Sequence, residues 1–225
     1  GDTYEDTFYM LDVAANSDFV QGVVGWIPFD RPNEARAAIE TFKKNQYFKG
    51  VRNLTHDYSN PKYESDDAWI LRPAVLETLA MVEKAGLSFD YVSIKPEHTK
   101  NVVTLAKKFP NMKIVVDHFA KPPIAAKEME PWASSMAEIA AFPNVYAKLS
   151  GLNTASDLAN WKVSDWQPYV DFIVKTYGAQ RVMMGGDWPV IVLGNNYAEI
   201  WQAQVEVISK FSEEEQSWMR HKTAK

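Results

Sequence analysis

Two hydrophobic periodicities alternate along this chain, and that alternation restricts its fold more than any other feature. Apolar residues three and four apart mark helices over 4–15, 32–45, 73–85, 96–109, 129–141, 166–177 and 198–211. Between them stand short β-branched or aromatic runs over 20–28, 48–54, 87–94, 112–116, 145–149 and 181–184, which read as strands. Helices open at Pro32, Pro73 and Pro96, where a missing N–H costs nothing, and stop at Gly86 and Gly178 or before Pro110 and Pro143. Strands separated by one helix each pair in parallel, because a crossover of that length returns the chain to the same end of the sheet. Six βα units are therefore expected.

Two architectures use such units. A doubly wound sheet advertises a glycine-rich phosphate turn, and neither Gly-x-Gly-x-x-Gly nor Gly-x-x-x-x-Gly-Lys occurs here. A β/α barrel instead places its chemistry at the carboxyl ends of several strands. Arg52, the pair Asp117-His118 and Asp187 all fall at such ends, so the pattern predicts a barrel.

Composition narrows the partners. The chain has 225 residues, 46% of them apolar, enough for one sizeable core, and a single domain over 1–225 is expected. A net charge of -5 with scattered basic residues argues against nucleic acid or an anionic membrane as partner. No cysteine is present, which excludes disulfides, thiolate metal sites and a cysteine nucleophile. Neither a cationic, apolar leader nor a membrane-length apolar run is found, and the expected location is the cytoplasm.

The strand ends carry the candidate chemistry. The run 181–184 breaks through Gly185-Gly186 into Asp187-Trp188-Pro189, and 112–116 runs into Asp117-His118. Asp187 is either a catalytic carboxylate or a turn cap before the next helix. Arg52 is suited to a bidentate contact with a substrate carboxylate or vicinal hydroxyls, or to an ion pair at the barrel mouth. Lys121 reaches the same pocket as His118 or is a solvated loop lysine. Lys148 points into the barrel or runs outward between helices. Trp26 and Trp188 are candidate walls for a sugar ring, with core packing as the alternative for Trp26. His56 lies in a polar loop that can close over a substrate, and His98 is a helix first-turn residue, at the surface or a ligand.

Five of these motifs, in order, carry a resemblance: Val23-Val24-Gly25-Trp26, Lys49-Gly50-Val51-Arg52, Val116-Asp117-His118-Phe119-Ala120-Lys121-Pro122, Lys148-Leu149-Ser150-Gly151 and Gly186-Asp187-Trp188-Pro189. The chain resembles the amidohydrolase-related sugar lactonases of fuconolactonase and rhamnonolactonase type. The resemblance implies a (β/α)8 TIM barrel that hydrolyses a lactone, with a divalent metal such as zinc or with none. It also implies that the six visible units are strands 3 to 8, since the His-x-His strand that opens such barrels does not precede Tyr4. Six strands do not close an eight-stranded barrel, so completion by missing residues, by rearranged topology or by pairing with another copy is expected.

Lactone hydrolysis needs a water, a base and positive character for the developing oxyanion. Asp187 is the expected base, while His118 binds a metal or polarises the carbonyl. His118 and Asp187 are the expected metal ligands, an incomplete set, because Asn53 stands where related proteins commonly carry histidine and no histidine ends the run 87–94. A sugar lactone is the expected partner, and a homo-oligomer is open. The alternatives are a binding protein without turnover, a truncated product without function and a metal-dependent decarboxylase of the same superfamily.

Overall fold

Thr3 opens the first helix by accepting a hydrogen bond from the Asp6 amide, and α1 then spans Tyr4–Ala15, as its apolar spacing predicts. The structure, a computed structural model, describes residues 3–54 and 66–225. These form two compact units, the first reaching to Val92 and taking in Asn101–Val115, the second holding Ser93–Lys100 and Val116–Lys225.

In the first unit, β1 (Val23–Gly25) pairs in parallel with β2 (Phe48–Arg52), and β2 with β3 (Ser88–Val92), while α2 (Pro32–Phe42) and α3 (Pro73–Lys84) connect them. Strand β1 is far shorter than the run 20–28, for a local reason. The Trp26 amide donates to Thr7 Oγ1 of α1 at 2.8 Å instead of to a neighbouring strand, so the ladder stops at Gly25. Gly86 ends α3 with φ +69°, the left-handed exit expected of it. Helix α4 (Pro96–Lys108) leads to β4 (Ile114–Asp117), whose Val116 and Asp117 belong to the second unit.

The second unit adds α5 (Trp132–Ala140), β5 (Val145–Leu149), α6 (Val163–Tyr177), β6 (Val182–Met184) and α7 (Tyr197–Ile208). Strands β5 and β6 are parallel, with Leu149 beside Met184. Within each unit strand neighbours follow chain order, β1-β2-β3 in the first and β5-β6 in the second, as in successive units of a β/α barrel. Val170 and Ile173 of α6, Ile139 of α5 and Val207 of α7 are fully buried, each contributing roughly 1.5–3 kcal/mol of transfer free energy. At the amino ends of β5 and β6, Arg181 donates from Nη1 to the carbonyls of Ala140, Phe142 and Val145.

Other elements differ from the sequence reading as well: α5 starts at Trp132 and not 129, and α7 ends at Ile208 and not 211. Helix α6 starts at Val163, three residues before the expected 166, because Asp165 accepts from the Lys162 amide and the helix tolerates Pro168 inside its second turn. The chain beyond 211 is helical too. Ser212 and Glu215 cap one another, α8 (Glu213–Ser217) follows, and a wider turn buries Met219. Among the described residues no helix is long and apolar enough to cross a membrane.

Candidate active site

Every residue of β4 is buried, so its end is the first place where the chain can present a side chain to a ligand. The chain leaves Asp117 in extended conformation and then makes four successive left-handed residues, with φ of 54° at His118, 50° at Phe119, 57° at Ala120 and 50° at Lys121. Each such L-residue costs roughly 1–2 kcal/mol, so something must hold them. The Lys121 amide closes the turn on the His118 carbonyl at 2.8 Å, and buried Trp132 of α5 donates from Nε1 to the Phe119 carbonyl at 2.6 Å. The tight turn brings residues three apart, His118 and Lys121, to one side.

Strand β5 delivers Ser150 and Gly151 at the same level. The Ser150 hydroxyl is 2.7 Å from His118 Nδ1, and the other ring nitrogen, Nε2, is 3.4 Å from Asp187 Oδ1. With Asp187 ionised, Nε2 carries the proton and Nδ1 accepts from Ser150, an assignment made from the partners. Asp187 is itself left-handed, φ 48°, and its carbonyl accepts from the Ile191 amide. The Asp187 backbone thus caps a turn while its carboxylate faces His118.

Gly151 marks the centre of the site. At φ +61°, a Cβ there would collide with Asp187 Oδ2 and come within 3.2 Å of His118 Nδ1 and 3.3 Å of Lys121 Nζ. Three ionisable side chains thus converge on one glycine. Thr154 Oγ1 accepts from Lys121 Nζ at 2.8 Å, which aims the ammonium at that point.

A second layer braces the strand ends. Lys148 of β5 pairs with fully buried Asp117 at 2.6 Å, so it turns inward. Gln204, buried on α7, spans the two strands that bear Ser150 and Asp187. With its amide oriented to satisfy its surroundings, Nε2 donates to the carbonyls of Leu149 at 2.9 Å and Gly185 at 3.2 Å. Ser150, Gln204 and Trp132 were not singled out from the sequence. The strand-end rule that found Asp187 also reaches Ser150, whereas Gln204 and Trp132 carry no local signal.

The other expected site residues lie as follows. Trp188 is exposed beside Asp187. In the first unit, Arg52 ends β2 in register with Asp90, and Trp26 is buried with its ring edge-on to Tyr4. His98 is buried, and its Nδ1 accepts from the Ile94 amide. His56 lies outside the described residues.

Tight zinc binding takes three or four protein donors. His118 and Asp187 supply two, and among the described residues no group of three or more His, Asp or Glu side chains is placed to hold a metal ion. The described residues do not fit a tightly held zinc.

Ionisable groups gathered at the carboxyl ends of parallel strands define a β/α-barrel enzyme. An amidohydrolase family model matches residues 3–225, and the chain belongs to the amidohydrolase family of hydrolases. It is 36% identical to an L-fucono-1,5-lactonase of Burkholderia ambifaria, over 91% of this chain and 68% of that protein. A more distant relative is an L-rhamnono-gamma-lactonase of Scheffersomyces stipitis, 23% identical over 73% of this chain and 53% of that one. Among solved structures, a zinc-bound amidohydrolase of Burkholderia multivorans superposes with a TM-score of 0.87 at 24% identity, covering 99% of this chain and 78% of its own.

Proposed function

We propose that this protein opens small sugar lactones by adding water to the ring carbonyl, with Asp187 as the base. The observation that carries this reading is the convergence of Asp187, His118 and Lys121 on the bare backbone of Gly151. Water held by Asp187 attacks the carbonyl carbon as the carboxylate takes its proton. Negative charge develops on the carbonyl oxygen, where the Lys121 ammonium offsets it, while the His118 ring N–H holds the Asp187 carboxylate in place. The tetrahedral adduct then collapses, the ring C–O bond breaks, and the leaving alkoxide recovers the proton from Asp187. The sum is lactone plus water giving a hydroxy acid, with Asp187 restored.

Its near-buried setting strengthens these interactions, since His118 and Asp187 side chains are only 7% and 10% exposed. Trp188, exposed beside Asp187, is assigned to substrate binding. The lactonase names of the relatives support the substrate class. Acid release from aldono-1,5-lactones, followed with a pH indicator, tests the proposal. Hydrolysis well above the uncatalysed rate is expected, and a rate equal to the protein-free blank would sink it.

A further inference from the structure

Helix α7 begins beside Asp187 and carries two aromatic rings into solvent. Tyr197 and Trp201, one helical turn apart, stack with centroids 6.2 Å apart and planes only 10° from parallel. They remain 42% and 36% exposed. Tyr197 reaches back over the strand end: a Cβ on Gly186 would stand 2.9 Å from its hydroxyl oxygen. Gly186 directly precedes Asp187, and its lack of a side chain lets the Tyr197 ring lie against the catalytic loop. On that loop Trp188 and Leu193 are 72% and 70% exposed.

A stacked pair of half-exposed aromatic rings, its tyrosine hydroxyl against the backbone of the residue before Asp187, is a surface for a ring with one apolar face and a polar rim. Resting on the lactone reading above, we propose that Tyr197 and Trp201 are the platform for the sugar part of the substrate and set the preference for large, hydroxylated lactones over small ones. A four-carbon lactone reaches Asp187 without covering the pair. A sugar lactone, with carbons beyond its ring, lies across it.

The test compares an aldono-1,5-lactone with γ-butyrolactone on the parent protein, Trp201→Ala, Tyr197→Ala and Trp201→Phe. The ratio of kcat/KM values, sugar lactone over γ-butyrolactone, should fall about tenfold in each alanine variant and stay within about twofold in Trp201→Phe. A ratio that holds in both folded alanine variants overturns the proposal. So does a ratio that holds while the alanine changes shift the sedimentation mass, which would make the pair a contact for a second copy. If the parent hydrolyses neither lactone, the lactone reading fails by itself. Calorimetric binding of the aldonate then decides: binding that Trp201→Ala abolishes supports the platform, and binding that is absent from the parent or unchanged in the variant overturns it.

Discussion

His118 Nε2 lies 3.4 Å from Asp187 Oδ1, with the opposite ring nitrogen held by Ser150 at 2.7 Å. The imidazole is fixed on both sides, and Asp187 keeps a second oxygen toward Gly151. Asp187→Asn preserves shape and removes the base. Turnover of an aldonolactone should drop by about 10²–10⁴, the usual contribution of a positioned acid or base. Thermal melting should move by no more than about 3 °C, corresponding to about 1 kcal/mol in a chain of this size. Retained turnover in a folded Asn variant would remove Asp187 from the role.

Gly151→Ala tests the convergence itself. The substitution forces an L-residue into φ +61° and drives a methyl into Asp187 Oδ2. Roughly 1–2 kcal/mol of stability should be lost through the backbone alone. Turnover should fall further than that loss explains, by more than about tenfold, because the methyl displaces the carboxylate from the place where water is held. Denaturant unfolding and kinetics on one preparation separate the two effects. A variant that is destabilised yet fully active would show that Gly151 is required only for its backbone conformation.

Much of this was legible in the chain. Tyr4–Ala15 and Val145–Leu149 have the bounds that their apolar spacing predicts, because each buries one face without help from distant groups. The placement of ionisable groups at strand ends was legible too, since the glycines before Asp187 and the break after Asp117 are local signals. What escaped was tertiary. The Trp26 amide leaves its strand for a threonine on another helix, and no spacing rule foretells that. The left-handed run from His118 to Lys121 contains no glycine, so nothing local announces it. Gln204 reaches carbonyls 19 and 55 positions away and Trp132 one 13 positions away, groups that any residue possesses.

Trp132 makes the strained turn testable. Its indole N–H meets the Phe119 carbonyl in a buried setting, inside a cluster with Tyr169 and Phe172. Trp132→Phe removes the donor and keeps most of the ring. Leaving that carbonyl without its partner should cost about 1–3 kcal/mol. The freed turn should also relax, lowering kcat more than it raises KM, since His118 and Lys121 lie within it. Equal kcat at reduced stability would assign Trp132 to packing alone.

Lys148 and Asp117 define the remaining prediction. Asp117 is fully buried and the lysine ammonium is 2.6 Å from its Oδ1, with the lysine stem passing 3.2 Å from where a Cβ on Gly185 would stand. Lys148→Met keeps the stem and takes the ammonium away from a buried carboxylate, and removal of one partner of a buried pair costs about 3–5 kcal/mol. Because the lysine is 21% exposed and partly screened, the lower part of that range is expected. Neutralising both partners, in Asp117→Asn with Lys148→Met, should recover most of the loss, since the dominant penalty is the uncompensated charge and not the missing bond. Urea unfolding of the two singles and the double closes the cycle. A Lys148→Met cost below about 1 kcal/mol would mean that Asp117 satisfies its charge elsewhere and that the pair does not brace β4 against β5.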